Sequence, residues 1–141
     1  MISLVQASNH SSLVREISKL LTETGKETKT KFIFQYFDIP AQLPTHVFNQ
    51  TFFIVQEATD NILKHAHANH AFIQLYCRDG ELIISIEDDG VGFDFVSEKG
   101  KGLWLLENRV AGLRGSVEFS SDDGSGTSIM IVIPLTQLEK I

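Results

Sequence analysis

Apolar residues recur at helical spacing in three stretches of the chain and crowd or alternate at strand spacing in five others. The first helical stretch is SSLVREISKLLTETG. Leu13, Ile17, Leu20 and Leu21 form its stripe, Ser11 or Ser12 can cap it, and Gly25 supplies a stop. A long second helix is predicted from Thr45, just after Pro44, to about His67. On it Val47, Phe48, Thr51, Phe52, Val55, Ala58, Thr59, Ile62 and Ala66 gather on one arc. The third, GLWLLENRVAGLRG, carries Leu103, Leu106, Val110 and Leu113 at helical spacing, with Gly115 beyond its end.

The strand-like stretches are TKTKFIFQYFDI, HAFIQLYCRD, ELIISIED, SVEFSS and GTSIMIVIPL. The second and third meet at Asp79-Gly80, a tight-hairpin signal, and the last two flank the turn DDGSG. From Asp89 to Lys101 there are three glycines, several acids and no period, which predicts a loop. The order of elements is helix, strand, long helix, hairpin, loop, helix, hairpin. It predicts a two-layer α/β (α+β) sandwich, with helices on one face of a mixed, mostly antiparallel sheet.

The length of 141 residues suits a single domain, and a content of 43% hydrophobic and 21% charged residues is that of an ordinary soluble globule. The net charge of −6, with no basic patch, argues against nucleic acid as a partner. An anionic ligand must then be held locally, by backbone N–H groups, a few cations or a metal. The single Cys77 excludes an intramolecular disulfide and reads as a buried structural thiol in a reducing compartment. No apolar run nears the roughly 20 residues that cross a bilayer, and MISLVQASNHSS is not a signal peptide. The chain is therefore expected to be cytoplasmic, with no membrane contact of its own.

Four short motifs carry candidate chemistry. In QEATDNILKHA, Glu57, Asn61 and His65 stand at i, i+4 and i+8, with Lys64 beside them, roughly opposite the apolar arc. The plain reading is a solvated face. The chemical one is a carboxylate to orient or deprotonate a group, an amide oxygen for a hard cation, and two cations for phosphate. DDGVGF starts at a strand end. Gly90 and Gly92 make a turn there, or let backbone approach a flat ligand. A carboxylate at Asp88 accepts hydrogen bonds only, so it can select an exocyclic amino group such as that of adenine. GKGLWLLENRV sets Gly100, Lys101 and Gly102 at the start of a helix, where free N–H groups favour anions. GSGT brings Thr127 to the last strand, as a plain hairpin turn or as a partner of Asp88. Phe93, Phe95 and Trp104 read as packing residues, and His10, His46, His67 and His70 show no metal-like pairing.

Together and in this order, these motifs resemble those of the ATPase family that includes sensor histidine kinases, Hsp90-like chaperones, DNA gyrase and mismatch-repair proteins. QEATDNILKHA looks like its N box, DDGVGF its D-x-G-x-G box, GKGL its second glycine box, and GSGT its glycine-threonine box. NRVAGLRGSVEFSSDDGSGTSIMIVIPL is most similar to the catalytic domain of nitrate-sensor-type histidine kinases, and the likeness covers about 28–135. The helix WLLENRV departs from the glycine-methionine pair and acid common in the family.

The resemblance implies a Bergerat-type fold binding ATP and Mg2+. Asp88 would accept from the adenine amino group with Thr127 assisting, and Gly90 and Gly92 would flank the base. Asn61 would bind Mg2+, and Lys64 and His65 would lie near the phosphates. Gly100, Gly102 and Leu103 would offer N–H groups to phosphate beside Lys101, and Glu57 would be the acid assisting phosphoryl transfer. The segment before Leu13 does not resemble the helices that carry a phosphoacceptor histidine. The implied function is thus a single ATP-binding catalytic domain, 1–141, with no dimerisation or phosphoacceptor domain. It would transfer the γ-phosphoryl group to a histidine on the dimerisation helices of a parent kinase, itself open to membrane anchoring, and through it reach a response regulator. Alone it would not phosphorylate itself. The alternatives are a free-standing serine kinase acting on an anti-sigma antagonist and a non-catalytic nucleotide-binding interaction module.

Overall fold

The computed structural model describes residues 2–4, 11–90, 101–122 and 126–135, and only the backbone at 2–4, 65–66, 101–104 and 122. In chain order the elements are β1 (Ile2–Leu4), α1 (Ser12–Gly25), β2 (Lys31–Phe37), α2 (Thr45–Asn61), a π-helical turn (Ile62–Ala66), β3 (His70–Arg78), β4 (Glu81–Asp88), α3 (Lys101–Gly112), β5 (Ser116–Asp122) and β6 (Gly126–Pro134). The strands form one six-stranded sheet in the order β1-β2-β3-β4-β6-β5. β1 and β3 run parallel to β2, and the other three pairings are antiparallel. The parallel pairs require crossovers, which α1 and α2 supply. β1 was not expected from the pattern, because three residues are too few to display a period.

Strand alternation decides the layers. Phe32, Phe34, Ala71, Ile73, Leu75, Leu82, Ile84, Ile86, Ile129, Ile131 and Ile133 are buried and share one core with residues of all three helices. Alternate positions such as Gln35, Gln74, Glu87, Ser120 and Glu118 lie on the other, open face, where the Gln74 amide donates to Gln35 Oε1 at 2.6 Å. This face also carries Phe37 stacked on Tyr76 (centroids 4.8 Å apart), with Phe72 and Met130 exposed. The helices therefore cover one face, as the pattern predicts.

Ser11 caps α1, its hydroxyl accepting from Val14 N, and α1 packs on β2 and α2. α2 buries Val47, Thr51, Ile54, Val55, Ala58 and Thr59, while Phe48 and Phe52 are half-buried at the flanks. Ile54, absent from the expected arc, belongs at its centre, since 47, 51, 54, 58 and 62 step by four, three, four and four. α3 packs on α2, with Arg109 Nη1 donating to Gln50 Oε1 at 2.9 Å and its guanidinium 4.6 Å from the centre of the Phe53 ring. The positive φ after α3 falls on Arg114 (58°) rather than Gly115. Gly115 is required for a different reason: a Cβ there would sit 2.5 Å from the Val132 carbonyl oxygen. The Asp79-Gly80 hairpin has φ of 54° and 78°, the paired positive angles of a tight two-residue turn. Cys77 is half-buried near that turn and packs against the core, short of the full burial expected.

Ile84 lies at the middle of the central strand and is fully buried. Ile84→Ala is expected to cost about 2–5 kcal/mol, from lost transfer energy plus an unfilled cavity. Urea denaturation should show this as a lower midpoint at an unchanged m-value.

Candidate functional site

The end of β4 is held between two neighbours. Asp88 pairs with Ala71 of β3 on one side and Thr127 of β6 on the other. Alternation turns its carboxylate to the helix face, where it is 8% exposed. Oδ1 accepts from Gly90 N at 2.9 Å. Desolvation raises this carboxyl above the ordinary range, and the adjacent Asp89 charge adds to that. The N–H groups of Gly90 and Thr127 work in the opposite direction without cancelling it.

β6 starts tightly against this point. Gly126 has φ +92°, and a Cβ on it would collide with the Asp88 carbonyl oxygen. The glycine before Thr127 is thus a requirement of strand closure at the Asp88 position, beyond its role in the turn. Thr127 is half-buried, with its hydroxyl 3.5 Å from that of Ser121.

The exit of α2 meets the same strand end. After the π-helical turn the chain reverses through His67 (φ 51°) and enters β3 at His70. Thr30 Oγ1 donates to Ala68 O at 2.8 Å, and Lys31 N to Asn69 O at 2.8 Å. Asp89 Oδ1 accepts from both Asn69 N and His70 N at 2.8 Å, and its Oδ2 lies 2.8 Å from His70 Nδ1. The fold therefore brings the exit of the QEATDNILKHA helix to the DDG turn.

Glu57 and Asn61 lie four residues apart in regular α-helix and are both half-buried, as the stripe predicts. Lys64, which is exposed, and His65 fall in the π-helical turn. There the hydrogen bonds run i to i+5, so an even α-helical stripe does not extend to them, and this corrects the i+8 placement of His65. The Asn61 Nδ2 position is buried and has no hydrogen-bond partner. Its amide therefore has bonding capacity directed at no protein group. No group of three or more His, Cys, Asp or Glu among the described residues could hold a metal. An amide oxygen is a hard donor of the kind that suits Mg2+, which takes few protein ligands and shares phosphate oxygens. Lys101, Gly102 and Leu103 form the first turn of α3, where backbone N–H groups lack intrahelical acceptors. Gly92 and Gly100, with Phe93 and Phe95, lie outside the described residues. Sequence reasoning missed the His70–Asp89 contact. A histidine opening one strand and an acid just past the antiparallel end of the next was the available signal.

Residues 49–137, more than half of the chain, match the family described as histidine kinase-, DNA gyrase B-, and HSP90-like ATPase. The chain belongs to this ATPase family. It is 30% identical over 129 residues to the signal transduction histidine-protein kinase/phosphatase DegS of Brevibacillus brevis, covering 90% of the chain and 33% of that protein. It is 29% identical over 130 residues to the sensor protein VraS of Staphylococcus aureus, covering 89% and 36%. The chain thus spans about a third of the length of these relatives. Among solved structures it is similar to the histidine kinase domain of the Erythrobacter litoralis blue-light activated histidine kinase. The TM-score is 0.76 and the identity 22%, over 96% of this chain and 68% of that one. The Acinetobacter baumannii histidine kinase AdeS matches with a TM-score of 0.71 and 19% identity, over 88% and 64%. The fold is therefore that of histidine kinase ATPase domains. No helix among the described residues is long and apolar enough to cross a membrane.

In an ATPase domain of this kind the buried Asp88 carboxylate works against the empty fold. Its folded pKa lies above the unfolded one, so ionising it destabilises the native state. That penalty is absent well below the ordinary carboxylate pKa, grows as pH rises through it, and is complete above the folded value. Asp88→Asn keeps an oxygen for Gly90 N and removes the charge. The nucleotide-free variant is expected to equal or exceed the parent in stability at pH 7, and to lose that advantage on acidification to about pH 3, below the ordinary carboxylate pKa. Denaturation midpoints of both proteins at the two pH values check this.

Proposed function

We propose that this chain is an ATP- and Mg2+-binding catalytic domain that passes the γ-phosphoryl group of ATP to a histidine on the dimerisation helices of a parent sensor kinase. The observation that carries the reading is the Asp88 carboxylate, desolvated at a strand end beside Thr127 and the exit of the Asn61 helix. A group kept out of water at such cost is explained by a ligand that pairs with it.

In this reading Asp88 accepts from the adenine amino group, assisted by Thr127, and Gly90 and Gly92 give the base close backbone. Guanine is rejected because its carbonyl would face an acceptor. Asn61 offers its amide oxygen to Mg2+, which when bound neutralises charge on the phosphate oxygens. Lys64 and His65 neutralise further charge. Gly100, Gly102 and Leu103 donate backbone N–H groups to phosphate, aided by Lys101 and the helix dipole. Glu57 orients the acceptor imidazole and takes its proton as the phosphorus is attacked. Catalysis is then positioning plus charge stabilisation. The relative DegS is named a histidine-protein kinase, which favours a histidine acceptor over a serine one. In the full kinase the phosphoryl group would pass on to a response regulator. The reading places the chain on the cytoplasmic side, whether or not the parent is anchored.

Asn61→Ala is expected to lower Mg2+-dependent ATP affinity on the order of tenfold, the worth of one contact to a charged group. Stability should change by less than about 1 kcal/mol, because the amide nitrogen position gives up no protein partner. Calorimetry with and without chelator measures both, and equal chelator sensitivity in variant and parent would remove Asn61 from the site.

The chain incubated alone with γ-labelled ATP and Mg2+ should stay unlabelled, while a dimerisation-helix fragment added from a related kinase should acquire acid-labile phosphate. Acid-labile phosphate on the chain itself, or acid-stable phosphoserine on an anti-sigma antagonist, would overturn the assignment.

A further inference from the structure

We propose that Asp89 is a positioning residue that aims Asp88 by clamping the end of β4 to the exit of the Asn61 helix; this rests on the reading of Asp88 as the adenine-binding carboxylate. Asp89 spans the junction with four short contacts to two consecutive residues. Oδ1 accepts from Asn69 N and His70 N, Oδ2 faces His70 Nδ1, and its own N–H donates to His70 O at 3.2 Å. Both of its carboxylate oxygens are taken up by Asn69 and His70, so in this reading Asp89 offers neither to a ligand bound at Asp88. It fills no core either, since its side chain is 40% exposed.

Its surroundings are built to hold a carboxylate. Desolvation alone would raise its pKa. The backbone and ring of His70, the N–H of Asn69 and the charge of His70 together bring it below the ordinary range. The opposite shifts of two adjacent acids mark two tasks, one carboxyl satisfied by the protein and the other left for something else. The clamp joins two segments that a bound nucleotide must touch together. On one side are Asp88 and Gly90. On the other is the 67–69 reversal, tied by Thr30 and Lys31 to β2 and leading back to the turn that bears Lys64 and His65. Releasing it frees the strand end, and the Asp88 carboxylate with it, to shift while every ligand-contacting side chain keeps its chemistry.

A double-mutant cycle in this chain tests the role, reading ATP and adenosine affinity by calorimetry at a temperature where circular dichroism shows each protein folded. Asp89→Ala is expected to weaken both ligands on the order of tenfold, through misaim of a contacting group. Asp89→Asn, whose amide oxygen can still accept from both N–H groups, should stay within about threefold of the parent. In an Asp88→Asn background the loss caused by Asp89→Ala should shrink to less than about threefold, because residues acting through one another are not additive. A purely structural role would lower the melting temperature and leave the affinity of the folded protein unchanged. That result, or an equal loss in both backgrounds, overturns the proposal. Asp89→Ser takes the place of Asp89→Ala, with the same deciding outcomes, if the alanine variant does not fold. A parent chain that binds neither ATP nor adenosine refutes the adenine reading itself, a result distinct from normal parent binding with indifferent variants.

Discussion

A desolvated carboxylate at the end of a central strand is the constraint on which the rest of this domain turns. Asp88 is nearly closed to water, and among the described residues the backbone N–H groups of Gly90 and Thr127 compensate it. Such a group persists because its neighbours over-determine its position. β3 and β6 flank it, Gly126 lets the last strand close without a side chain in the way, and Gly90 folds back on its oxygen. Core, sheet order and turn chemistry converge on presenting one acceptor in one direction.

The sheet explains how that presentation stays rigid. β4 is central, and its inward side chains are locked among Ile73, Leu75, Ile129 and Ile131. Slipping its register by one residue would turn Asp88 outward and Glu87 inward, against the whole apolar set. The packing that stabilises the strand and the aim of the carboxylate are therefore one specification. The parallel side of the sheet adds the helix exit, because a crossover must deliver α2 back to the end where β3 begins, and that end adjoins the end of antiparallel β4.

Much of this was legible in the residues. Ser11, Pro44 and Asp79-Gly80 marked boundaries that the fold respects, because capping, the fixed φ of proline and positive-φ turns act locally, and Gly25 ends α1 without a positive φ, its cap being Lys26. The alternation in FIFQYF and AFIQLY identified the core face for the same reason. Asp88 was legible because DDGVGF stands in order with the three other motifs, whereas alone an acid and two glycines at a strand end read as a plain turn. Other features depended on three-dimensional neighbours. Gly115 and Gly126 are set by strands that approach from elsewhere in the chain. The His70–Asp89 contact joins residues 19 apart. The π-helical turn leaves no mark in composition, since ILKHA is an acceptable α-helical sequence.

That turn has a consequence in the arithmetic of chain length. A π-helical turn holds one residue more than an α-helical turn, and each α-helical residue advances about 100° around the axis. If the segment Ile62–Ala66 wound as ordinary α-helix, the spare residue would have to appear in the reversal that follows. That reversal has no slack. Ala68 is held by Thr30, and Asn69 by both Lys31 and Asp89. Helix phase and loop length are thus conjugate quantities in this molecule, so the three bonds that fasten Ala68 and Asn69 also fix the rotation of Lys64 and His65 relative to Asn61.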